Sequence, residues 1–258
     1  MYNYKDSIDK AYNFIQERVR SGYKYSGTPI YNVSKSDLEK LYSITSKYGI
    51  PFEWMVNLIK HESAGTFNPS ITNSIGATGL IQFMTKIGGK TMTYAKADGS
   101  SPVGTDKLRK MNFSQQLDYV DGFLYRSLKK HLTPDGKIPN HFTQGDVFMT
   151  IFYPVAVGEP DYIFPDSVSK SNGGIRQPKD YVEKALKNAI FTLDSFPYTI
   201  DDFKKKIGDV TKETFDKTVG YTKRNWIPIT LILVGITGVI YFSYFYKGKG
   251  LNSNFKLS

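Results

Sequence analysis

The run Met55-Val56-Asn57-Leu58-Ile59 ends three residues before a carboxylate, Glu62, in the stretch Lys60-His61-Glu62-Ser63. Near the C-terminal end of a helix the backbone dipole disfavours negative charge, and neighbouring apolar groups add a desolvation penalty of the same sign. Both raise the pKa of the acid. A carboxylic acid still protonated near neutral pH is what a general acid for glycosidic cleavage requires. A solvated residue at a helix end would look the same in isolation, so the surroundings must discriminate. His61-Glu62 could also open a His-Glu-x-x-His zinc motif, but the fifth position is Gly65. His131 and His141 are remote in sequence and cysteine is absent, so neither a metal site nor a cofactor is expected.

The elements that must position Glu62 read as helices. Ser36 followed by Glu39 has the spacing of a capping box, and Gly49 can end the helix it opens. Pro51 suits the first position of the next helix, in which Met55, Leu58, Ile59 and Glu62 share a face. Residues 64–79 and 96–106 are punctuated by Gly, Pro, Asn and Ser and read as loops. Ser114 is a candidate cap for a helix carrying Leu117, Val120, Leu124 and Leu128. Thr143 with Asp146 caps another, and Pro178 opens a last one with Val182, Leu186, Ala189 and Ile190 inward. Residues 1–35 read as an extension packing on the domain, with 21–29 as loop. Convincing alternating strands and repeats are missing, so the fold class is mainly α.

A resemblance becomes specific once the loop is added. Glu62-Ser63, then Phe67-Asn68-Pro69, then Gly76-Ala77-Thr78-Gly79-Leu80-Ile81-Gln82 before Phe83-Met84 resembles the soluble lytic transglycosylase family of the lysozyme-like superfamily. The ordered combination is far more specific than any of its parts. It covers about 25 residues, with weaker similarity to about residue 190. The resemblance implies cleavage of the MurNAc–GlcNAc β-1,4 bond of peptidoglycan, with Glu62 as the catalytic acid and then base and a 1,6-anhydro sugar as product. It implies substrate contacts for Ser63, Gly79, Gln82 and Met84. Asn73 and Ser74 fall where the family places a polar residue beside the N-acetyl group. Met84 would serve equally well as core, and Gly79 as a turn former. The family's Tyr-Asn-Ala-Gly motif is missing. Tyr153, in Ile151-Phe152-Tyr153-Pro154, stands in its region and is expected to support the acid, a variant resembling phage virion transglycosylases.

The remaining sequence sets the context. The net charge of +10 favours polyanionic partners, but the lysines are dispersed apart from Lys204-Lys205-Lys206, so no specific nucleic acid is expected. Tyrosine and phenylalanine are abundant, which suits a sugar-stacking cleft and an ordinary core alike. Residues 226–246 carry no charge and are long enough to cross a bilayer as a helix, with Trp226 at one end and Tyr241, Tyr244 and Tyr246 at the other. The expected organisation is a lysozyme-like transglycosylase domain at 36–195, a charged amphipathic stalk helix at 196–225, a single transmembrane helix at 226–246 and a short basic tail at 247–258. The N-terminus lacks the apolar stretch of a secretory signal. The expected partners are therefore peptidoglycan glycan strands, a lipid bilayer and other virion proteins, with the protein in a virion membrane or the host cell envelope. Two other readings stay open. One is a goose-type lysozyme, a hydrolase using water; nothing near Glu62 nominates the second carboxylate of the usual hydrolase pair, which leaves Asp98 or a more distant acid open. The other is a structural virion or envelope protein without activity.

Overall fold

Helix α3, Phe52–Glu62, buries Phe52, Trp54, Met55, Val56, Asn57, Leu58, Ile59 and Lys60, which occupy every side of it. A helix apolar all round belongs at the centre of a fold, and α3 is flanked by four others. These are α1 (Tyr4–Arg20), α2 (Lys35–Lys47), α6 (Gln144–Phe152) and α8 (Pro178–Leu186). The computed structural model describes residues 4–192, 229–235 and 238–244. The chain divides into two units, 1–196 and 197–258.

Within the first unit, α4 (Thr105–Leu108), α5 (Phe113–Leu128) and α7 (Asp166–Ser171) complete the helices. Two short antiparallel hairpins interrupt them, β1 (Lys24–Tyr25) with β2 (Thr28–Pro29), and β3 (Lys86–Ile87) with β4 (Lys90–Thr91). The described residues are thus mainly α, as the periodicity predicts. The helix starts follow local chemistry. Thr143 caps α6 as expected, in a reciprocal box with Asp146, its backbone N–H donating to Asp146 Oδ2 at 2.6 Å. Pro178 is the first residue of α8. Two caps sit two residues earlier than expected. Ser34 with Asp37 starts α2 in place of Ser36 with Glu39, and Asn112 with Gln115 starts α5 in place of Ser114. In both, an extended cap residue and an acceptor three residues on satisfy each other's backbone N–H groups, which a single hydroxyl inside the first turn cannot do.

Residues 1–35 contribute more than an extension. Ile8, Ala11 and Ile15 of α1 are buried in the same core as α3, and the Ser7 hydroxyl donates to Glu53. At the other end of the unit, the buried Asn57 of α3 accepts from the backbone N–H groups of Ile190 and Phe191 and donates to the Phe191 carbonyl at 2.9 Å. One internal amide therefore fastens the chain just beyond α8, where backbone groups would otherwise be buried unpaired.

The described part of 226–246 is not the transmembrane helix expected there. Ile229–Gly235 forms β5 and pairs antiparallel with β6, Gly238–Tyr244, with Gly235 opposite Gly238. Isoleucine, valine, threonine and aromatic residues favour strands, and a glycine at the facing end of each segment, Gly235 and Gly238, suits a hairpin better than a continuous helix. No helix among the described residues is long and apolar enough to cross a membrane. The stalk at 196–225 and the tail at 247–258 lie outside the described residues.

Candidate active site

The turn that follows α3 is built by its own side chains. The Ser63 hydroxyl donates to the Ile59 carbonyl at 2.6 Å and accepts from the Phe67 N–H at 3.0 Å. The Thr66 hydroxyl donates to the Ser63 carbonyl and accepts from the Asn68 N–H. Ala64, Gly65 and Phe67 all have φ between 50 and 74°. That left-handed conformation costs an L-residue of order 1 kcal/mol, and here the buried Phe67 ring and the hydroxyl network hold it. Ser63 is fully buried. Its hydroxyl is spent on the turn, so the substrate contact expected of Ser63 gives way to an architectural role.

The loop beyond is latched to α5 by one residue. Gln116, fully buried, accepts from the Leu80 N–H at 2.7 Å and donates to the carbonyls of Pro69 and Leu108, both at 2.9 Å. Gly79 lies against the same amide. It has φ +83°, and a Cβ there would stand 2.2 Å from Gln116 Oε1. The expected loop residues then take their places. Asn73 is exposed and its side-chain oxygen accepts from the N–H groups of Ile75 and Ala77, with Ser74 exposed beside it. Gln82, half-buried at φ +52°, folds back to donate to the Gly79 carbonyl at 3.1 Å. Met84 is half-buried and its carbonyl accepts the Tyr94 hydroxyl.

Helix α8, packed against α3, brings a tyrosine to the carboxylate. Tyr181 donates its hydroxyl to Glu62 Oε1 in a short hydrogen bond spanning 119 residues of sequence. Its ring stacks on Phe152 at 4.2 Å between centroids, and Phe148 and His61 meet it edge-on at 6.3 and 5.5 Å. The Glu62 carboxyl, half-buried in this aromatic surround, has its pKa raised from 4.5 to about 7. Burial is the dominant cause, offset in part by the Tyr181 hydrogen bond and by the positive charge of Lys184. Burial and the negative carboxylate push the Tyr181 phenol well above its ordinary value, so it stays a donor. Burial, with Lys184 and Lys60, lowers His61 to about 4 and leaves its imidazole neutral at neutral pH.

The expected partner of the acid, Tyr153, sits elsewhere. It caps α6 with φ −153°, and Pro154 stops the helix beneath it. Its side chain joins Tyr162 and Phe164, at ring distances of 5.6 and 5.3 Å, instead of the Glu62 carboxyl. The hydroxyl on the acid is Tyr181's. A sequence signal for it existed, since Pro178, Tyr181, Val182 and Ala185 form the buried face of α8. A tyrosine on an otherwise apolar helical face needs a polar partner. The helix ends at Leu186, so Ala189 and Ile190 fall outside it.

The described residues thus bring Glu62, Tyr181, His61 and Phe152 together, and separately Gly79, Leu80, Gln82 and Gln116. A carboxyl so held can give up a proton and take one back near pH 7. Among the described residues no three His, Cys, Asp or Glu side chains converge as a metal site would require. Comparison with known proteins finds no family model, no curated protein and no solved structure that matches the chain.

Proposed function

We propose that the chain is a peptidoglycan lytic transglycosylase with a lysozyme-like domain, cleaving the MurNAc–GlcNAc β-1,4 bond. The observation that carries the reading is Glu62, desolvated to a pKa of about 7 at a helix end and held by the Tyr181 hydroxyl. The ordered Glu-Ser, Phe-Asn-Pro and Gly-Leu-x-Gln stretches support it. In the first step Glu62 gives its proton to the bridging oxygen as the C1–O bond breaks. In the second, the muramyl C6 oxygen bonds to C1 while its proton passes to the Glu62 carboxylate. The product is the 1,6-anhydro sugar, no water is consumed and the acid is regenerated. One group serves both steps, so a pKa near the working pH suits each direction of transfer. Tyr181 would hold the carboxyl in place and steady its anion. Gln82, Met84, Asn73 and Ser74 are the residues we assign to substrate contact, and Gly79 shapes the loop that presents them.

The uncharged run 226–246 would attach the enzyme to lipid, in a phage virion where it opens the cell wall locally during genome delivery. Deleting that run should release the protein from membranes, and continued pelleting with vesicles would reject the attachment.

Mass spectrometry of digested sacculi tests the chemistry. Anhydro-muramyl ends, one water lighter than reducing ends, are expected. Reducing ends would establish a hydrolase of the goose-type lysozyme kind, and an undigested wall would leave a structural protein.

A further inference from the structure

On the flank of α3 turned toward α1, two cations share one aromatic ring. Arg18 lies 4.8 Å over Phe14 and 4.1 Å over Tyr23, and Lys60 Nζ lies 5.9 Å over Phe14. Lys60 is only 9% exposed. Arg18 Nη1 is buried without a hydrogen-bond partner, pressed so close to Gly65 that a Cβ there would stand 2.8 Å from it. The Tyr23 hydroxyl closes the edge by donating to the Ala64 carbonyl. Burial, and then the charge of Arg18, lower the pKa of Lys60.

Among the described residues neither cation has an ion-pair partner. The carboxylates of α1, Asp6, Asp9 and Glu17, line an open groove of about 530 Å³ that shares Phe14 with the two cations, yet none of them forms an ion pair with Arg18 or Lys60. Two like charges held close together in an apolar setting without a counter-charge raise the free energy of the fold, and an anion reaching both would lower it. A guanidinium offers its N–H groups as a fork that fits an oxyanion, and an ammonium adds a point charge. We propose that Arg18 and Lys60 form a binding site for a small oxyanion, a phosphate or carboxylate group. It lies across α3 from the Tyr181 side of the helix and does not depend on what Glu62 does. The chain's net charge of +10 suits an anionic polymer as the source, carrying either phosphodiesters or carboxylates.

Thermal unfolding of the full chain tests this, with inorganic phosphate, acetate or chloride at matched ionic strength. The native chain should gain roughly 3 °C in Tm in saturating phosphate over chloride. Lys60→Met should raise Tm in chloride by removing a buried uncompensated charge, and should abolish the phosphate response. Arg18→Gln should abolish it too, while Glu62→Gln should respond as the native chain does. An acetate response equal to that of phosphate would identify a carboxylate source, and a response to phosphate alone a phosphodiester. A native chain indifferent to both anions, or a Lys60→Met variant that keeps the full response, overturns the proposal.

Discussion

Glu62 stands between two regions held together by different forces. On one side, residues 63–84 are a web of side chain to backbone hydrogen bonds from Ser63, Thr66, Asn68, Asn73, Thr78 and Gln116. On the other, α6, α8 and residue 164 meet through rings, with Phe148, Phe152, Phe164 and Tyr181 packed on one another and the Tyr181 hydroxyl as the polar tip. The polar region fixes where the backbone goes, because hydrogen bonds are directional. The aromatic region fixes the dielectric around the carboxyl, because packed rings exclude water without aiming at anything. A carboxyl that must be both placed and kept uncharged needs one of each.

Substitutions on either side should separate these contributions. Glu62→Gln removes the shared element and should lower sacculus digestion by about a thousandfold or more. The same change should flatten the pH dependence of stability. The folded-state pKa of about 7 lies above the unfolded 4.5, so the protonated fold is the more stable one. That advantage, of order 3 kcal/mol, is full below pH 4.5 and is lost as pH rises to about 7. Denaturant melts of the native and Glu62→Gln chains across pH 4–8 would show it. Parallel curves would mean that the carboxyl is hydrated.

Breaking the polar region alone calls for Gln116→Leu, which strands the Leu80 N–H and the carbonyls of Pro69 and Leu108. A cost of about 3 kcal/mol or more, read as a fall in Tm of roughly 6 to 12 °C, is expected. A neutral result would mean that the loop does not rely on this latch. On the aromatic side, Tyr181→Phe keeps the ring stack and deletes the donor. Activity should fall about tenfold, with the alkaline limb of the pH–rate profile moving upward because the hydrogen bond lowers the pKa of Glu62. An unmoved limb would detach Tyr181 from the acid. The smallest effect belongs to Lys184→Met. Loss of that cation should also raise the pKa of Glu62 and give a few-fold gain in rate at the alkaline edge, where a rate loss would contradict the assigned sign.

Legibility in the sequence followed the range of the interactions. Glu62, its helix and the turn-rich loop are contiguous, and Thr143 with Asp146 or Pro178 carries its signal within four residues, so local chemistry suffices. Helix α1 was obscured because Ile8, Ala11 and Ile15 are sparse among lysines, aspartates and tyrosines, and its burial comes from the helices it meets. Tyr153 was the nearer tyrosine and Tyr181 the one that arrives, because a helix-ending proline turns the first aside and helix packing delivers the second. For residues 226–246, uncharged apolar character fits a long helix and a β-hairpin equally. Glycine spacing and branched side chains, not hydropathy, distinguish the two.

Gly79 and Gln116 occupy space that only one of them can fill. Any side chain at the first would evict the amide of the second, and a shorter residue at the second would unfasten Leu80. The two positions are therefore free to vary only in concert. Diverged sequences sharing this architecture should keep a glutamine some 36 residues beyond the leucine of the loop, a long-range spacing that could be sought even where the short motifs around the acid have drifted past recognition.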